Sequence, residues 1–197
     1  MNFEGYETDI FFDELFDNQG QARDSASLLV NAIESLSDGD LQSRQDASER
    51  TMHSMGITFN VYGSGEGTER TIPFDIVPRI IDGNEWDVVE AGLKQRIKAV
   101  NRFIDDIYHD RKIIADGVVP EWLFTSSKGY LPQCQGLNPP KGVWAHVTGT
   151  DLVRDEAGTF FVLEDNLRVP SGVSYVLLNR TLMKRNFPEV FHQSQVR

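Results

Sequence analysis

From Ala22 to Leu36 apolar residues recur at three- and four-residue spacing, at Leu28, Leu29, Ala32, Ile33 and Leu36, and predict a helix with one buried face. The turn Ser37-Asp38-Gly39-Asp40 ends it. Asp38 or Asp40 then caps a second helix running to about Met55, with Gly56 as its C-terminal stop. At Ile57 the period changes to two. The run ITFNVY, the loop GSGEGTER and the proline-bounded run PFDIVP read as two strands joined by a glycine-rich connection. Between Glu85 and Asp110, Val88, Val89, Leu93, Ile97, Val100, Ile104 and Ile107 trace one helical stripe, with Asn84 as its cap. Gly129, Pro132, Gly136, Pro139, Pro140 and Gly142 mark a long loop, and loops of that length often carry function. Two strands follow, VWAHVTGTDLVR and TFFVLEDNLR, separated by the turn Asp155-Glu156-Ala157-Gly158, and then a helix from about Gly172 to Arg185. The order α-α-β-β-α-β-β-α predicts an α+β fold, an antiparallel sheet with flanking helices. The aromatic and acidic run TDIFFDELFD near the N-terminus is expected to form a short amphipathic helix that docks.

Composition changes this picture in one respect, the distribution of charge. The formal net charge is -11, but residues 1–50 hold 12 acidic and 3 basic side chains, while residues 51–197 hold 18 and 16. The chain therefore divides into an acidic helical region, 1–55, and a nearly neutral remainder, 56–197. Such a balance gives no footprint for nucleic acid and would be repelled by anionic membranes. With 40% hydrophobic residues, no membrane-length apolar run and an acidic N-terminus, a soluble cytoplasmic protein is expected. The lone Cys134 has no thiol to pair with and sits in a polar loop.

The candidate chemistry lies on the last two strands. If the turn is the four residues DEAG, Arg154 pairs with Thr159 and Asp151 lies opposite Val162. Side chains alternate along a strand, so Asp151, Glu164 and Asn166 then share a face. Two carboxylates and an amide oxygen are hard donors suited to Mg²⁺, which completes its octahedron with water and substrate phosphate. In that register apolar residues line both faces, and buried carboxylates without a cation are costly. A loop of three or five residues would turn Asp151 away from the other two. Downstream, Arg168 offers a planar fork for phosphate or carboxylate. Ser171 precedes a helix whose N-terminal N–H groups favour an anion, although the pair also reads as a cap serine and a surface arginine. Arg70 and Arg79, bracketing PFDIVP, are candidates for the same anionic ligand. The loop GSGEGTER lacks the ending of a P-loop. His146 reads as a hydrogen-bonded structural histidine, and no Ser/His/Asp arrangement is present.

The strings YGSGEGTERTIPFDIVPRII, GLKQRIKAVNRFIDDIYHD and GTDLVRDEAGTFFVLEDNLRVPSGVSYVLLNR resemble the circularly permuted type 2 ATP-grasp family, relatives of glutathionylspermidine synthase. The most specific part is LEDNLRVPSG. The resemblance implies an ATP-dependent carboxylate-amine ligase working through an acyl phosphate, with ATP and Mg²⁺ as cofactors and a small-molecule or peptide carboxylate and an amine as substrates. It also implies that Asp151, Glu164 and Asn166 hold the metal, and that Arg168 and Ser171 hold transferred phosphoryl or substrate carboxylate. Leu178 departs from the family pattern, which has a glutamate before Asn-Arg. Relatives continue well beyond HQSQVR into an adenine-gripping lobe, so residues 56–197 are expected to be a partial domain of little activity alone. Self-association, or a partner chain supplying that lobe, is the corresponding expectation. A non-catalytic interaction module, docking through the acidic N-terminus, remains the alternative. A metal-dependent hydrolase on the same carboxylates ranks behind both for want of a nucleophile or base.

Overall fold

The structure, a computed structural model, describes residues 3–60 and 69–194, and only the backbone of Phe59, Asn60 and Glu69. Residues 63–68 of the glycine-rich loop lie outside the described residues. The described elements are α1 (Ser27–Glu34), α2 (Asp40–Ser54), β1 (Thr58–Asn60), β2 (Glu69–Thr71), α3 (Gly83–Tyr108), α4 (Lys112–Ala115), α5 (Trp122–Thr125), β3 (Gly149–Arg154), β4 (Phe160–Asn166), α6 (Val173–Asn186) and α7 (Pro188–Gln193). Two two-stranded ladders are present among them, β1 with β2 and β3 with β4. The chain forms two compact units. The first comprises Met1–Trp86, Leu152–Phe161 and Ser171–Arg197, the second Asp87–Asp151 and Val162–Pro170.

The first unit owns the hydrophobic core. The buried stripe of α1, Leu29 and Ile33, packs with Met52 of α2, Leu178 and Leu182 of α6, and Phe187 and Val190 around the start of α7. Leu178 is 5% exposed and is part of this core. Helix α2 ends as its glycine predicts. Gly56 takes φ +67°, and the N–H of Ile57 reaches back to the carbonyl of Met52 at 3.0 Å. Its start differs from expectation: Gly39 occupies the cap position without a side-chain cap bond, and Asp40 accepts the N–H of Ser37 instead.

PFDIVP is not a strand. The partner of β1 is Glu69–Thr71, paired antiparallel with Phe59 opposite Arg70. Pro73 and Pro78 have no N–H to give a ladder. The segment is pinned instead by burial of Phe74, Ile76 and Ile80, by Gln45 donating to the Phe74 carbonyl at 2.6 Å, and by Asp75 accepting the N–H of Val77. The N-terminal aromatic run is likewise not helical. It folds through an isolated bridge between Phe16 and Ala22, with Asp13 accepting the N–H groups of Leu15 and Phe16 at 2.8 Å.

Its Phe12 covers the tip of the β3–β4 hairpin. A Cβ on Gly158, at φ +84°, would meet the Phe12 ring at 2.6 Å, so only glycine fits there. The Arg154 guanidinium lies between the rings of Phe12 and Phe160, 4.4 and 4.1 Å from their centroids, and pairs with Glu85.

Helix α3 starts within the first unit, capped by Asp82 rather than Asn84: the Asp82 carboxylate accepts the N–H groups of Asn84 and Glu85. From Asp87 onward α3 organises the second unit. Along α3, Asn101 acts as a clasp. Its amide oxygen accepts the N–H groups of Trp144 and Ala145 at 2.8 and 3.0 Å, tying the end of the long loop to the helix. That loop contains α4, α5 and two single turns of tighter helix, Pro132–Cys134 and Pro140–Gly142. Among the described residues no helix is long and apolar enough to cross a membrane.

Leu182 is 2% exposed at the centre of the first core. Leu182→Ala is expected to destabilise the chain by about 2–5 kcal/mol, read as a lower urea midpoint with an unchanged slope.

Candidate functional site

The hairpin turn is one residue shorter than the four-residue loop of the sequence reading. The N–H of Asp155 donates to the Thr159 carbonyl at 3.0 Å, which leaves Glu156, Ala157 and Gly158 as a three-residue loop, and the Asp155 carboxylate accepts the N–H of Thr159. Strict alternation from that closing pair would put Asp151 and Glu164 on opposite faces. It does not persist along β4. Phe160 and Val162 are half-buried and Phe161 exposed, but Leu163 and Glu164 are exposed in succession before Asp165 turns in. Strand β4 has seven residues to six in β3, so one residue is extra, as at a β-bulge.

At the base of the hairpin the pairing is explicit. Thr150 Oγ1 donates to Asp165 Oδ1 at 2.9 Å, so these two share a face. A Cβ on Gly149 would lie 3.7 Å from that of Asn166, so these also face each other, on the opposite side. Asp151 follows Gly149 by two residues and Glu164 precedes Asn166 by two, which sets Asp151, Glu164 and Asn166 on that one face. All three are exposed. Asn166 Nδ2 donates to Glu164 Oε1 at 3.2 Å. Among the described residues no lysine or arginine pairs with either carboxylate.

Asp165, between them, is the residue that the sequence reading missed. Its side chain is 12% exposed and accepts from Arg96 Nε of α3 at 2.6 Å as well as from Thr150. Three polar residues in a row, Glu-Asp-Asn, must alternate on a strand. The middle one therefore points away from its neighbours, and that signal was available in the sequence.

Gly149 allows a close approach at this base. A side chain there would approach Pro170 Cβ to 3.1 Å, tighter than ordinary packing. Arg168 is exposed and lines a cleft of about 580 Å³ in the second unit, together with His146. His146 is an exposed residue rather than a core one. Ser171 belongs to the first unit, exposed just before Gly172, the residue that leads into α6. Arg70 is exposed on β2. Arg79 is committed within the protein: Nε donates to Glu14 Oε2 at 3.0 Å, and this bond holds the guanidinium pKa above its ordinary value.

The donor set fits a hard divalent cation. Among the described residues no three histidine, cysteine or acidic side chains form a cage. A cation on this face would therefore have two carboxylates and one amide oxygen, and would take its other ligands from water or phosphate. That is the pattern of Mg²⁺ rather than of Zn²⁺.

Comparison with known proteins agrees with the resemblance at the family level. The model of the circularly permuted ATP-grasp type 2 family matches residues 78–197, and the chain belongs to that family. The Synechocystis sp. protein sll0335 is 50% identical over 191 residues, 97% of this chain and 40% of its own length. The Mycobacterium tuberculosis protein Rv2411c is 45% identical over 199 residues, 99% of this chain and 35% of its own. A Frankia casuarinae protein named "Putative glutamate--cysteine ligase 2-2" is 37% identical over 179 residues, which are 91% of this chain but 20% of that protein. The chain thus spans about two fifths or less of the length of these relatives.

Asp165→Ala leaves Arg96 and Thr150 without their shared acceptor. It is expected to cost about 1–3 kcal/mol in urea unfolding, whereas Asp155→Ala, at the exposed turn, costs less.

Proposed function

We propose that this chain carries the metal-binding part of an ATP-dependent carboxylate-amine ligase. The observation that supports it most is the common exposed face of Asp151, Glu164 and Asn166, on which no lysine or arginine among the described residues pairs with either carboxylate, in a chain of the circularly permuted ATP-grasp family. In this reading ATP transfers its γ-phosphoryl group to a substrate carboxylate, releasing ADP. An amine then attacks the acyl carbon, phosphate departs, and the nitrogen loses a proton to leave an amide. Mg²⁺, when bound, neutralises phosphate charge.

The chain's own residues have distinct parts. Asp151 and Glu164 supply the anionic oxygens for the cation, and Asn166 a neutral one. The amide of Asn166 now donates to Glu164 and would rotate to offer its oxygen. Asp165 and Thr150 hold the strand so that these groups face outward. Arg168 is free to bind a phosphoryl or carboxylate oxygen, and a guanidinium there stabilises charge developing in transfer. Ser171, before α6 in the first unit, is likewise assigned to a phosphoryl or carboxylate oxygen. Arg70 is the remaining candidate for ATP phosphate. Arg79 joins it only if its pair with Glu14 opens.

The finer reading is a glutathionylspermidine synthase-like ligase whose adenine-gripping lobe is supplied by sequence outside residues 1–197. Amide formation by these residues alone is then weak or absent. The Frankia relative's name is compatible with ligation of an amino-acid carboxylate to an amine.

Isothermal titration of ATP with Mg²⁺ into the wild-type chain and into Glu164→Ala tests the reading. Binding that weakens by about tenfold or more in the variant, the equivalent of ~1.4 kcal/mol, is the expected result. Equal heats from the two proteins, or none from either, would overturn it.

A further inference from the structure

The second unit contains a cleft of about 580 Å³ that the metal face does not use. Its wall is a stack of rings. Tyr108 lies between Tyr130 and Trp144, with centroids 5.3 and 5.0 Å away and interplanar angles of 10° and 21°. The polar tip of each ring is already engaged. The Tyr130 hydroxyl accepts from Arg111 at 2.7 Å, the Tyr108 hydroxyl accepts the N–H of Leu131 at 3.1 Å, and Trp144 Nε1 donates to Asp105 at 3.0 Å. These bonds fix the rings, and because Tyr108 is covered by its two neighbours the stack presents the cleft with a rigid wall of ring carbon, to which Ile104, Phe124 and Leu167 add.

The charge of the lining is unusual for this chain. Among the described residues no aspartate or glutamate lines the cleft, although the protein carries a net charge of -11. Its ionisable groups apart from the two tyrosines are Arg168 and His146, both exposed and neither partnered among the described residues. A fixed aromatic wall with an unpaired guanidinium selects a ligand with a flat apolar body and one anionic end. The volume lies within the range of small-molecule sites.

We propose that this cleft binds a small organic acid with an aromatic body, its ring against the wall formed by the Tyr130–Tyr108–Trp144 stack and its carboxylate on Arg168. As the acid that is activated, this ligand rests on the ligase reading above. As a binding site it does not, because neither ATP nor metal takes part in holding it.

Naphthoate titrated without ATP or Mg²⁺ separates the two. The readout is the Trp144 indole N–H resonance, assigned by its loss in Trp144→Phe. A saturable shift is expected, with affinity about tenfold weaker for the uncharged naphthamide and for Arg168→Ala, as loss of one charge-assisted bond implies. No saturable shift overturns the site. Equal affinity for naphthoate and naphthamide, or no effect of Arg168→Ala, overturns the assignment to an acid. A positive result alongside failure of Mg²⁺-ATP titration would retain the cleft and discard the ligase reading.

Discussion

The carboxylate of Asp165 fixes which oxygens the base of the β3–β4 hairpin presents. It is held between Thr150 on the neighbouring strand and Arg96 on α3, both within the second unit. With Asp165 turned in, Glu164 and Asn166 must turn out. Gly149 brings Asn166 opposite the start of β3, and Asp151 follows onto the same face. The candidate metal ligands thus owe their common direction to a residue that would not touch the metal. A charged side chain is well suited to this, because an unpaired buried carboxylate is too costly for the strand to slip by one residue.

The first unit solves a different problem. Its core joins α1, α2, α6 and α7 through the irregular segment that contains Phe74, Ile76 and Ile80. Leu178 belongs to that core, which gives a physical reason for an apolar residue at that position. The Arg154 side chain is 4% exposed among its ring and carboxylate neighbours, so the hairpin tip is secured by Phe12 and Glu85 rather than by turn chemistry alone.

Much of this was legible from periodicity. The stripe at Leu29 and Ile33, the glycine stop at Gly56 and the long helix through Ile107 are local patterns, and local patterns survive folding. PFDIVP misled because its apolar alternation matches a strand, while Pro73 and Pro78 remove the hydrogen bonds that a strand needs. The N-terminal run misled because Phe12 and Phe16 pack against tertiary neighbours while Phe11 stays exposed, with Asp13 and the Phe16–Ala22 bridge shaping turns instead of a helix. At the hairpin the expected loop was one residue too long, and the extra residue near Leu163–Glu164 was not foreseen. Each shifts the face by one position, and only the pair of them returns Asp151, Glu164 and Asn166 to one side. The aromatic cleft had no linear signature, since Tyr108, Tyr130 and Trp144 are brought together by the folding of a long loop onto α3.

The central claim is that these three residues form one cation site. Its most direct test is relaxation of the backbone amide signals by Mn²⁺, a paramagnetic substitute for Mg²⁺. The account predicts selective broadening at Gly149–Asp151 and Glu164–Asn166, lost in Asp151→Asn with Glu164→Gln. Broadening spread over the acidic N-terminal residues, with the hairpin base unaffected, would contradict it.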